Sequence, residues 1–153
     1  MLQFIIAFLI TLGFAYVFNV RGKVSIVVSI VGGLSWSIYL VMMNFNFSIG
    51  FTYFILGAFT TLGSEIIART FKVPVILALI PIITPTVPGS GAYYTMFYLF
   101  NGEQALSIQK AVDTLIMTGA MMLGFLVISD IFKLYSKYIN KKLKKKEYIK
   151  KRE

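Results

Sequence analysis

Cysteine and histidine are both missing from this chain of 153 residues. Without cysteine there are no disulfides, thiolate metal sites, cysteine nucleophiles or S-linked lipid anchors. Without histidine as well, the common zinc sites and the Ser-His and Cys-His pairs of nucleophilic catalysis cannot be assembled. Carboxylates are scarce, six Asp and Glu against fifteen Lys and Arg, so any proton chemistry falls to very few groups. The only aspartates are Asp113 and Asp130. On one continuous helix they stand about 25 Å apart at 1.5 Å per residue, too far to form an aspartyl dyad. No phosphate-cradling glycine loop followed by Lys is present, and Gly89-Ser90-Gly91, with the pattern of a serine-nucleophile turn, has no histidine to serve it. No catalytic constellation remains; no enzyme, cofactor or metal site is expected.

What the chain has in quantity is apolar surface: 58% of its residues are hydrophobic, 14% are charged, and the mean hydropathy is +0.80. A soluble fold cannot hide so much, whereas a bilayer favours it, provided that backbone groups pair internally as they do in helices. A crossing needs about 20 mostly apolar residues. The expected fold is therefore an all-α membrane bundle over residues 1–135, with spans near 2–19, 24–43, 49–68, 73–100 and 108–135, followed by a basic tail, 136–153. The opening stretch lacks a basic n-region and reads as a retained span.

All four prolines, Pro74, Pro81, Pro85 and Pro88, fall in the fourth segment, where Gly89, Ser90 and Gly91 follow the last of them. Proline removes a helix donor and clashes with the preceding turn. The expectation is a helix from Val73 to about Thr84, a break, and a second helix from near Gly91 to Phe100. Lys and Arg in short loops prefer the cytoplasm. Arg21 and Lys23, Arg69 and Lys72, and the tail from Lys133 through Lys137, Lys141, Lys142, Lys144, Lys145, Lys146, Lys150, Lys151 and Arg152 carry the basic charge, whereas loops 44–48 and 101–107 have no Lys or Arg. The alternation closes only if 73–100 crosses once, with the N-terminus out and the C-terminus in.

Small residues recur at helical spacing: Ala7, Thr11, Ala15 and Asn19; Ser29, Gly33 and Ser37; Gly57, Thr61, Ser64 and Ala68. Such stripes let membrane helices approach closely, within the chain or against a partner. Glu65 and Arg69, four apart, share a helix face and read either as a pathway or relay pair or as an interfacial pair that fixes depth. Lys110 and Asp113 are a weaker analogue near the opposite end. At the break, a helix N-terminus can face an anionic group and unwound carbonyls a cation, with Tyr93, Tyr94 and Thr95 hydroxyls nearby; the plainer reading is a kink that shapes the bundle. The tail orients the chain and contacts anionic lipid; nucleic acid is not an expected partner.

These residues form a familiar pattern. The run GSEIIARTFKVPVILALIPIITPTVPGSGAYYTMFYLFNGE, with GFAYVFNV near the start, resembles the membrane domain of the threonine/serine exporter (ThrE) family, in the short stand-alone version of its C-terminal half. The matching positions are Glu65, Ala68, Arg69, Pro74, Ile80, Pro81, Pro85, Pro88, Gly89 and Tyr93. The resemblance implies export of small hydroxy amino acids or small dicarboxylates across a bacterial inner membrane, with a larger membrane half as partner; a homo-oligomer is the other arrangement. The pathway or relay would be formed by Glu65, Arg69, Pro81, Pro85, Pro88, Gly89, Ser90, Gly91, Tyr93, Tyr94 and Asp113. The rival is a structural or regulatory membrane subunit with no pathway of its own.

Overall fold

The computed structural model describes residues 1–150, with side chains described through Tyr138 and at Lys141 and Lys142. The later tail lysines therefore lie outside the described side chains, and Lys151 and Arg152 outside the described residues. Helices account for nearly all of it, and no strand occurs among the described residues. They are α1 (Leu2–Val17), α2 (Lys23–Asn44), α3 (Ile49–Phe71), α4 (Val75–Ile83), α5 (Gly89–Phe100) and α6 (Gln104–Lys150). Among the described residues, three stretches are long and apolar enough to cross a membrane: Lys23–Asn44, Ile49–Phe71 and Gln104–Tyr138.

The helices stop where the chain can turn left-handed. Asn19, Asn46, Lys72 and Gly102 all have positive φ. After each, the next N–H returns to a carbonyl five residues back: Val20 to Ala15, Phe47 to Met42, Val73 to Ala68 and Glu103 to Tyr98. These are Schellman closures, which satisfy the last helix carbonyls without outside help. The fourth segment departs slightly from the expected bounds. Pro74 takes an extended ψ of 136°, so α4 starts only at Val75.

Contacts fix how the helices run. Gly50 meets Ile116, Gly57 meets Met121, Gly124 meets Phe54 and Ala58, and Arg69 reaches Phe132. α3 and α6 are thus parallel. A Cβ at Gly57 would strike the Met121 carbonyl, and one at Gly124 the Phe54 carbonyl, so these two glycines set the helix separation. α1 and α2 pack antiparallel, with Thr11 against Gly32 and Phe4 against Gly33. α4 lies on α1, α2 and α3, whereas among the described residues α5 touches α6 alone.

Most small-residue stripes turn inward. Ala7, Thr11, Ala15, Ser29, Gly57, Thr61, Ser64 and Ala68 are buried. Their hydroxyls bond back one turn, Thr11 to Ala7, Ser29 to Ser25, Thr61 to Gly57 and Ser64 to Thr60, the local solution where lipid offers no partner. Two apolar clusters complete the core. One, toward the end bearing Arg21, Lys23, Arg69 and Lys72, joins Ala15, Val20, Val28, Ile67, Ala78 and Ile82. The other, toward the opposite end, joins Tyr53, Leu56 and Met121.

Because Gly50 is level with Ile116, the first turns of α6 extend about 18 Å beyond the start of α3 at 1.5 Å per residue. α5 accompanies them, antiparallel: Gly91 abuts Thr114, and the Ser107 hydroxyl donates to the Thr95 carbonyl at 2.8 Å. No residue of α5 is buried.

Candidate transport site at the broken helix

The break runs from Thr84 to Pro88. Pro81 does not cause it: this residue is fully buried inside α4, although its ring cannot donate to the Leu77 carbonyl. The helix ends two residues later because Pro85 and Pro88 deny it two further donors. The chain compensates locally, with the Thr84 hydroxyl donating to Ile80 at 2.9 Å and the Thr86 hydroxyl to Ile83 at 2.9 Å. Among the described residues, no hydrogen bond ends on the carbonyls of Thr84, Pro85 or Thr86. The break thus presents acceptors.

On its far side α5 begins at Gly89, two residues earlier than expected, with Pro88 preceding it as N-cap. The residues meant to line the site do not converge there. Gly91 is taken up by contact with Thr114, and the Thr95 hydroxyl returns to the Gly91 carbonyl. Tyr93 and Tyr94 stand 63% and 45% exposed, in a ladder with Phe97 and Tyr98 at ring separations of 5.3 to 6.2 Å. Ser90 is also exposed.

Glu65 and Arg69 do pair, as their spacing indicated. Arg69 Nε and Nη2 both donate to Glu65 Oε2 at 3.3 Å, with the Glu65 side chain only 13% exposed. Arg69 also donates to the Phe132 carbonyl at 3.4 Å, and its guanidinium lies 4.7 Å from the centre of the Phe132 ring. This face of α3 therefore looks at α6. Ile67, two residues on and so about 200° around the helix, packs with Ala78 and Ile82 of α4. The ion pair and the broken helix thus occupy opposite faces of α3. Asp113 lies on α6 beside Thr114, and no ion pair joins it to Lys110 among the described residues.

Two residues that periodicity did not single out stand beside the break. Trp36, the only tryptophan, donates its indole N–H to Gln3 Oε1 at 3.3 Å, and both line a cleft with Pro85. A lone amide in the apolar run of α1 was the available signal, but nothing in the sequence registers Gln3 against Trp36. The nearest approach to a metal site is also absent: no group of three or more Asp or Glu side chains clusters among the described residues.

The described residues form an all-helical bundle with three stretches long and apolar enough to cross a membrane. No curated protein and no solved structure matches the chain. The family model described as "Threonine/Serine exporter, ThrE" matches residues 3–131, and the chain belongs to this family of membrane exporters.

Proposed function

We propose that the chain is the small subunit of a secondary exporter for threonine, serine or related small carboxylates in a bacterial cytoplasmic membrane, acting with a larger membrane half or as a homo-oligomer. The family match over residues 3–131 carries this reading. The chain crosses five times, N-terminus out and C-terminus in, with α4, the break and α5 together making the fourth crossing. Two independent features support that path: the sorting of Lys and Arg among the loops, and the parallel run of α3 and α6, which requires the chain to return once between them. The basic tail rests on anionic lipid. No enzymatic step and no cofactor are needed.

Substrate passes beside the break from Pro81 to Gly91, where Pro85 and Pro88 keep the backbone unwound and Gly89 and Ser90 open the first turn of α5. Tyr93, Tyr94 and Asp113 line the outer continuation of that path. Glu65 with Arg69 acts from the opposite face of α3, as a proton relay or counter-charge whose state is passed on through α3. Export is driven by the proton gradient or by the substrate gradient alone. The unburied aromatic face of α5 supports a partner, since among the described residues α5 packs on α6 alone and buries none of its own side chains.

The test is efflux from cells carrying Glu65→Gln or Pro88→Ala variants that accumulate in the membrane like the parent. Both are expected to lose export. Full activity in both would remove this site assignment and favour a structural or regulatory subunit.

A further inference from the structure

Ser35 is fully buried, and its hydroxyl is the one buried side-chain polar atom among the described residues with no hydrogen-bond partner in the protein. The other serines of α2 all bond back to their own helix, Ser25 to Gly22, Ser29 to Ser25 and Ser37 to Gly33. Ser35 makes no such bond to Val31, and with 0% of its surface exposed it faces protein and not lipid. Its level follows from its neighbours. Two turns below, Val28 lies within about 20° of the same face and shares a cluster with Ala78 and Ile82 of α4. One turn above, Ile38 and Tyr39 pack in a second cluster with Ile83. Ser35 therefore stands at the end of α4, where the break begins, on the face of α2 that meets α4. There the carbonyls of Thr84, Pro85 and Thr86 accept no bond among the described residues, and Thr86 is itself buried. An orphan donor and orphan acceptors thus share one level in the interior.

We propose that a buried water molecule links the Ser35 hydroxyl to the break. The water accepts from Ser35 and donates to two of the open carbonyls, which makes three bonds, the usual number for water inside a protein. The same count selects water over a cation. A cation would take the carbonyls and leave the Ser35 proton unmatched. Its charge would also go unbalanced, since Glu65, the only carboxylate in α1 to α4, faces α6 with Arg69, and an unpaired buried charge is costly. Ser35 is then a positioning residue. It holds the interrupted segment through an exchangeable molecule, where a continuous helix would hold it through fixed backbone bonds. The link does not depend on what the chain carries.

The test uses the full chain in lipid bilayers with ¹³C-labelled serine, and follows magnetisation transferred from water by solid-state NMR. Ser35, assigned from its sequential neighbours, is expected to take it up. The buried Ser29 and Ser64, whose hydroxyls are held by backbone carbonyls at 2.7 Å, are not. In Ser35→Ala, amide exchange is expected to quicken about threefold or more at Thr84, Thr86 and Val87. It should stay unchanged there in Ser37→Ala, which removes a hydroxyl bonded to its own helix. No transfer to Ser35, as when its hydroxyl returns to the Val31 carbonyl, would overturn the proposal, and this arm needs no variant that must fold. A Ser35 signal that shifts with sodium but not with choline would put a cation in place of the water. Unchanged exchange at the break in Ser35→Ala would detach Ser35 from it. Either result also overturns the proposal.

Discussion

A methyl group placed between α3 and α6 should cost far more than one placed where a helix faces open space. A Cβ on Gly57 would collide with the Met121 carbonyl oxygen and stand 2.9 Å from its carbon; a Cβ on Gly124 would collide with the Phe54 carbonyl oxygen and stand 2.7 Å from the Ala58 nitrogen. The obstacles are backbone atoms, so no rotamer change relieves them, and reaching ordinary contact near 3.5–4.0 Å moves the helices apart by about 1 Å. A gap of that size forfeits a quarter to a half of each contact along the seam. Overpacking of this kind costs about 1–3 kcal/mol, which lowers the folded-to-unfolded ratio from about fivefold to more than a hundredfold. Gly13 and Gly119 are the internal controls, since a Cβ on either meets nothing within 4 Å. There Gly→Ala should be neutral or stabilising by about 0.5–1 kcal/mol, because glycine is the poorer helix former. Unfolding in mixed detergent micelles, followed by circular dichroism, reads all four variants. Equal behaviour of Gly57→Ala, Gly124→Ala and the two controls would refute the parallel α3–α6 seam and the levels assigned from it.

The absence of cysteine makes the topology directly addressable. Single cysteines at Ser48 and Asn101 should react with an impermeant maleimide from outside intact cells, and cysteines at Thr70 and Ser136 only after permeabilisation; the reverse pattern would invert the orientation, and a mixed one would break the five-crossing path. Ser107→Ala removes the hydroxyl that ties α6 to the Thr95 carbonyl of α5, at a cost of about 0.5–1.5 kcal/mol. Since α5 touches no other helix, hydrogen exchange should accelerate in residues 89–100 and not in α3; uniform acceleration would contradict the isolation of α5.

The run of apolar residues located the helices well because a bilayer imposes both a length and a backbone requirement. Expected segments 2–19, 24–43 and 49–68 correspond to α1, α2 and α3 with ends shifted by at most three residues. The interruption in the fourth was legible too, since proline acts locally. What local chemistry could not reveal was which proline ends the helix. Pro81 remains in α4 because its neighbours Ala78 and Ile82 are buried against α2 and α3, and packing offsets one missing donor. α6 runs on through the basic tail to Lys150, since residues 136–150 hold no Gly or Pro and Lys and Glu are good helix formers.

The candidate site was less legible, for a physical reason. Periodicity assigns residues to a face but does not say which helix that face meets. Glu65 and Arg69 were recognisable as a pair from their spacing, whereas their position opposite α4, against Phe132, depends on the α3–α6 register set by Gly57 and Gly124. Tyr93 and Tyr94 suggested a lined pathway from their place after the break, but α5 leaves the bundle with α6 and carries them outward. Gln3 and Trp36, 33 positions apart, meet only through the antiparallel packing of α1 on α2.

The most direct measurement is efflux of labelled threonine, serine and succinate from cells lacking their own exporters, with this chain expressed alone and then with the neighbouring open reading frame. Efflux of the hydroxy amino acids that requires both chains is the expected result and would place this chain as one half of a split exporter. No efflux under either condition, from chains shown to be inserted in the membrane, would contradict the assignment of a transport function.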